Sequence, residues 1–167
     1  SFEAAVIEMG MSGFGEIELM SNVARPNISC ITNIGSSHLE LLGTRENICK
    51  AKLEIINGMM GSGTLIVNGD EPLLVEADVK DIKKILVGVE NKACDVRAEN
   101  LRYCDEGSTF DIVVGENTYR GIEINVIGKQ FVYAALFAFA VGLELGIMPE
   151  KIISGLKKFE NADMRQN

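Results

Sequence analysis

The feature that most constrains this chain is an alternation of two kinds of segment. Ala4–Ile7, Ile28–Ile34, Thr64–Val67 and Ile85–Val89 are short, apolar, mostly β-branched runs bounded by Gly, Asn or charged residues, the pattern of strands buried on both faces. Between them lie helix-like stretches: Gly15–Ala24, stopped before Pro26, and Arg45–Met60, which Thr44 is placed to cap. In the second, Ile48, Ala51, Ile55 and Met59 recur at offsets of three and four. Strands alternating with helices predict an α/β fold, a mostly parallel sheet flanked by helices and joined by right-handed crossovers. The texture changes over 95–127, where Val96–Leu101, Ser108–Val114 and Tyr119–Ile127 are joined by D-E-G-S and G-E-N-T turns. This predicts a small antiparallel β unit within the same domain. Helix is expected again over Phe131–Leu145 and Pro149–Phe159, with Pro149 in a first turn.

Composition narrows the function classes. At 167 residues, 47% apolar and 24% charged, the chain reads as one domain, 1–167, with a substantial core. Its net charge of −8 and the absence of any Lys/Arg cluster argue against nucleic acid as a partner. The longest apolar run, Phe131–Leu143, has thirteen residues, against the roughly 20 needed to cross a bilayer, so no membrane insertion is expected. Glu3, Glu8, Glu16 and Glu18 stand where a secretory signal would be basic and then apolar. Cys30, Cys49, Cys94 and Cys104 form no C-x-x-C pair, which suits reduced thiols and a cytoplasmic location.

In parallel α/β sheets ligands gather beyond the carboxyl ends of the strands. Glu8 follows the first expected strand within E-M-G-M-S-G-F-G-E-I, and His38, the one histidine, follows the second within T-N-I-G-S-S-H-L-E. A carboxylate and an imidazole there suit a divalent cation or acid–base chemistry, and equally suit a solvated carboxylate and a surface histidine. Lys52 lies on the next helix. An ammonium repels a metal, so Lys52 is either a solvated lysine or a buried amine whose charge is reversed by reaction with carbon dioxide. The phosphate-binding pattern G-x-x-x-x-G-K-[ST] is missing, since Gly128-Lys129 is followed by Gln130.

Taken together, E-M-G-M-S-G-F-G-E-I at 8–17, A-R-P-N at 24–27, T-N-I-G-S-S-H-L-E at 32–40, G-T-R-E-N-I at 43–48, A-K-L-E-I at 51–55 and N-G-D-E at 68–71 resemble the central ATPase domain of the Mur ligases. The resemblance is to the MurF type, which adds D-Ala-D-Ala to UDP-MurNAc-tripeptide in bacterial peptidoglycan synthesis. A-E-N-L-R-Y at 98–103, V-G-L-E-L-G-I at 141–147 and G-L-K-K-F at 155–159 extend it through most of the chain. It implies a three-domain, monomeric, cytoplasmic parent using ATP and Mg2+. In that parent the phosphate loop would precede Ser1 and a C-terminal domain would begin just past Arg165, so this piece alone is expected to be inactive. It further implies that Glu8 and His38 are magnesium ligands, that Lys52 is a carbamylated lysine whose carbamate serves a second metal, and that Asn68 and Asp70 approach substrate or nucleotide. A turn after a strand explains the last two as well.

One block departs from the family pattern. MurF-like chains carry G-x-H-N-x-x-N-A before the long helix, whereas G-K-Q-F-V-Y-A-A puts Gln130, Phe131 and Ala134 at the three polar positions. Alanine has no donor or acceptor with which to read adenine. A non-catalytic ligase-like interaction module, and a folylpolyglutamate-type or other Mur-type amide ligase, are the alternatives.

Overall fold

The computed structural model describes residues 3–35 and 39–159. His38 and Arg165 lie outside them. Six strands form one mixed sheet in sequential order: β1 (Ile28–Ile31), β2 (Thr64–Asn68), β3 (Lys83–Gly88), β4 (Val96–Cys104), β5 (Gly107–Val114) and β6 (Asn117–Ile124). β1 to β4 pair in parallel and β4 to β6 antiparallel. The antiparallel segments thus continue the parallel sheet. The helices are α1 (Glu16–Ala24), α2 (Leu39–Leu42), α3 (Arg45–Leu53), α4 (Pro72–Val75), α5 (Lys129–Glu144) and α6 (Pro149–Lys157), with a 3-10 turn at Glu54–Gly58.

Alternation along the strands divides the core in two. Leu65 and Val67 of β2 join Ile31, Ile48, Ala51 and Leu74 beneath α1, α3 and α4. Ile66 faces the other way, with Val87, Phe110, Ile112, Val132, Leu136 and Phe139 beneath α5 and α6. Because β2 feeds both layers it is buried along almost its whole length, which explains why its sequence is a continuous apolar run.

Two parallel strands ordinarily need a long crossover, yet only residues 89–95 separate β3 from β4. The short link suffices because the two strands overlap only at Val87 opposite Val96 and Gly88 opposite Arg97. The Asp95 carboxylate accepts the Leu86 N–H at 2.8 Å, extending the contact with a side chain.

Two expectations fail here. Ala4–Ile7 is no strand: it is irregular, with Val6 99% and Ile7 61% exposed. β-branched residues fit a pleated surface, but this segment has no described ladder partner, and burial and pairing are what stabilise a strand. The helix expected over Arg45–Met60 tightens at Glu54 into the 3-10 turn. Gly58 explains the change, since a Cβ there would lie 2.1 Å from the Ser21 backbone carbon. Close approach to α1 thus fixes the path of this segment.

Candidate functional site

The site is built around α3. Thr44 starts the helix, its Oγ1 accepting the Asn47 N–H at 3.2 Å. The helical period then turns Ile48, Cys49 and Ala51 into the core. Lys52 is left half-buried at the helix margin, where its Nζ donates to the Asn33 carbonyl at 2.7 Å. Asn33 stands two residues beyond β1, so the amine lies at the carboxyl end of a parallel strand. Burial pulls the Lys52 ammonium below the usual lysine value, outweighing the opposing effect of Cys49. A larger fraction of neutral, nucleophilic amine follows.

Two further groups knit the surroundings together. The Glu54 carboxylate, two residues past Lys52, accepts the Gly15 N–H at 2.8 and 2.9 Å. Gly15 has φ 84°, a left-handed conformation that favours glycine. The glycine-rich segment after Glu8 is thereby clipped to the Lys52 helix. Arg45, at the other end of α3, donates to the Ile34 carbonyl at 3.0 Å and pairs with the Glu71 carboxylate. Glu71 is 7% exposed.

Of the predicted triad, Lys52 is therefore placed at a strand end, on a helix bonded to the segment that leads to His38. Glu8 is exposed on the irregular stretch leading to the Gly15 clip. Among the described residues no group of His, Cys, Asp and Glu side chains is gathered to hold a metal. As an ammonium Lys52 would repel a cation, and it would fit a cation site only if its charge were reversed, as in a carbamate.

Asn68 ends β2, and Asp70 lies in the turn just beyond it. The Asn68 Oδ1 accepts the Asp70 N–H at 2.9 Å, an Asx turn. The Asp70 carboxylate accepts the N–H groups of Val89, Glu90 and Asn91 at 2.7, 3.1 and 2.6 Å, and the Tyr133 hydroxyl. Burial pushes this carboxyl up, but those bonds together, Tyr133 foremost, hold it below the usual range. Burial and the Asp70 bond in turn push the Tyr133 hydroxyl well above the usual phenol value. Asp70 thus joins the turn after β2, the β3–β4 link and the start of α5.

Around that start, Lys129 pairs with Glu90 and its Nζ lies 5.9 Å from the centre of the Tyr133 ring. Phe131 packs against the α5/α6 core, and Ala134 presents an exposed methyl group.

Arg45, Glu54, Glu71 and Tyr133 are connections that sequence reading missed. The first three were in view inside G-T-R-E, A-K-L-E and N-G-D-E, but spacing alone does not say which backbone group a charged side chain will reach.

Comparison with known proteins adds the following. The profile of the Mur ligase middle domain matches residues 1–142. The chain is 44% identical over 163 residues to the UDP-N-acetylmuramoyl-tripeptide--D-alanyl-D-alanine ligase of Bacillus subtilis (strain 168), covering 98% of this chain and 34% of that protein. Its fold superposes on MurF from Acinetobacter baumannii with a TM-score of 0.84 and 28% identity, covering 97% of this chain and 35% of the other. The MurF ligase from Thermotoga maritima, solved in complex with ADP, shares the fold at a TM-score of 0.80 and 21% identity, covering 90% of this chain and 34% of that one. The chain spans about a third of the length of these relatives.

Proposed function

Given that this chain belongs to the Mur ligase family, as its middle domain, we propose that the protein carrying it is a MurF-type ligase that uses ATP to join D-Ala-D-Ala to UDP-MurNAc-tripeptide. The observation that carries this reading is the desolvated Lys52 amine at the carboxyl end of β1. It supplies what a carbamate requires: an amine whose charged form burial disfavours, close to the strand end where ligands gather, on a helix fixed to both neighbouring segments.

In this reading the neutral Lys52 nitrogen attacks carbon dioxide. An N–C bond forms as one C=O π bond of carbon dioxide opens, and a proton leaves to solvent; with the proton already lost from the ammonium, two protons in all are released and the side chain goes from cation to anion. Glu54 holds the glycine-rich segment that follows Glu8, and the Asn33–Gly35 stretch leads to His38, so Glu8, His38 and the Lys52 carbamate are the residues that would hold magnesium. Bound magnesium would screen the charge of the ATP γ-phosphate and of the substrate carboxylate. The carboxylate then attacks the γ-phosphorus and ADP leaves, giving an acyl phosphate; the D-Ala-D-Ala amine attacks its carbonyl carbon through a tetrahedral intermediate, which expels phosphate as the amine loses a proton. Asn68 and Asp70 order the neighbouring strand-end turn, and the start of α5 offers Gln130, Phe131 and Ala134 where the nucleotide base would lie.

ADP release with UDP-MurNAc-tripeptide and D-Ala-D-Ala tests the proposal. The full-length protein is expected to turn over only with both substrates and magnesium, and this chain alone not at all. A full-length protein without turnover contradicts the ligase reading. The exposed Ala134 methyl favours a second reading, an interaction module that no longer reads adenine. Calorimetry on the full-length protein separates the two, because a module shows no magnesium-dependent ATP binding.

A further inference from the structure

We propose that Arg45, anchored by Glu71, is the positioning residue that holds the strand-end segment 32–35 against α3 while Lys52 does its chemistry; this rests on the ligase reading above. Arg45 and Lys52 are seven residues apart on α3, about two turns, so both leave the same face of the helix. They grip the carbonyls of successive residues. Arg45 Nη2 lies 3.0 Å from the Ile34 oxygen, and Lys52 Nζ lies 2.7 Å from the Asn33 oxygen.

The two grips differ in one respect that matters. When the Lys52 amine takes up carbon dioxide, its nitrogen keeps a single N–H and gains an anionic group that the Asn33 carbonyl repels. The grip on Asn33 weakens at the moment the site is assembled. A guanidinium stays protonated and undergoes no such change, so Arg45 holds Ile34 in both states. Ile34 is 1% exposed, which makes its carbonyl a fixed point rather than part of a mobile surface.

Glu71 fixes Arg45 in turn. One carboxylate oxygen pairs with the guanidinium, while the other, Oε1, is buried with no hydrogen-bond donor among the described residues. Among the described residues no second donor reaches this carboxylate, and Arg45 is the cation that pairs with it. The pair joins the turn after β2 to the segment after β1, and α3 carries it.

Removing Arg45 alone strands the buried Glu71 charge and can prevent folding. The informative variant is therefore the pair Arg45→Met/Glu71→Leu, which removes both charges and keeps most of the volume. In amide hydrogen exchange on this chain, residues 33–35 are expected to exchange about tenfold faster in the pair variant, with β2 and β3 unchanged. In the full-length ligase, kcat is expected to fall about tenfold or more while the KM for each substrate stays within about twofold. Arg45→Lys, which keeps the charge without the fork, is expected to recover only part of kcat. Unchanged exchange at 33–35 overturns the proposal, as does faster exchange with an unaltered kcat. An inactive wild type overturns the ligase reading and the catalytic part of this proposal with it, whereas an active wild type matched by its Arg45 variants overturns the proposal alone.

Discussion

Lys52 shows how one side chain can be legible in sequence while its neighbours are not. Its helix is announced by Thr44 and the Ile48 and Ala51 spacing, so its address follows from periodicity. Its bond to Asn33 depends on where β1 stops, and β1 ends at Ile31, three residues earlier than the apolar run suggests. For the full-length protein, the proposed function predicts that Lys52→Met lowers the rate of ADP release by about a hundredfold or more, since it removes the amine that this proposal turns into an anionic carbamate. Asp70 carries a different prediction. Its carboxyl is held below the usual value near 3.8, so the stability it contributes is whole above that value and is lost as pH falls through the lower, folded value. Thermal unfolding followed from neutral pH down to about pH 2.5 should show a shallower acid decline in Asp70→Asn than in the wild type. At neutral pH the same variant is expected to be less stable by about 2 kcal/mol, because it weakens hydrogen bonds to a charged group.

At the scale of elements, the strong periodic segments were readable and the short or partner-dependent ones were not. α1, β2, α5 and α6 fall within a few residues of their expected bounds, because apolar spacing and proline mark them directly. α2 and α4 have four residues each, too few to display a helical period. The run at Ala4–Ile7 has strand composition without a described partner, and composition cannot reveal that. The 3-10 turn after α3 was hidden for a related reason: offsets of three and four look alike in both helix types, and what selects the tighter one is the approach of Gly58 to Ser21. Gly58→Ala is accordingly expected to destabilise the chain by about 3 kcal/mol, measured by denaturant unfolding. Helical content should be largely kept, because the clash parts α1 from the turn without unwinding α3.

At the scale of the whole molecule, the mostly parallel sheet flanked by helices was legible from the alternation of segments, and the merging of the antiparallel strands into that same sheet through β4 was not, since it depends on a two-residue overlap. The two layers have separate cores, and Arg45 and Lys52 stand on the layer of α1, α3 and α4. Phe139 belongs to the other one, fully buried with its ring 5.2 Å from that of Tyr119. Phe139→Ala is expected to lower global stability by about 3–5 kcal/mol while leaving the Lys52 to Asn33 contact in place. Denaturant unfolding would measure the first, and the reactivity of the Lys52 amine toward an acylating reagent the second. The narrow overlap of β3 and β4 has a mechanical meaning. The sheet is two plates joined by a thin weld, and the apolar face of α5 packs over the joint, among Val87 of β3 and Val96 and Ala98 of β4, while its polar bonds, Tyr133 to Asp70 and Glu144 to Thr64 and Lys83, moor it to the first plate alone. Load passing between the plates is therefore carried by the packed face of this helix, which is riveted to one plate and only pressed against the other.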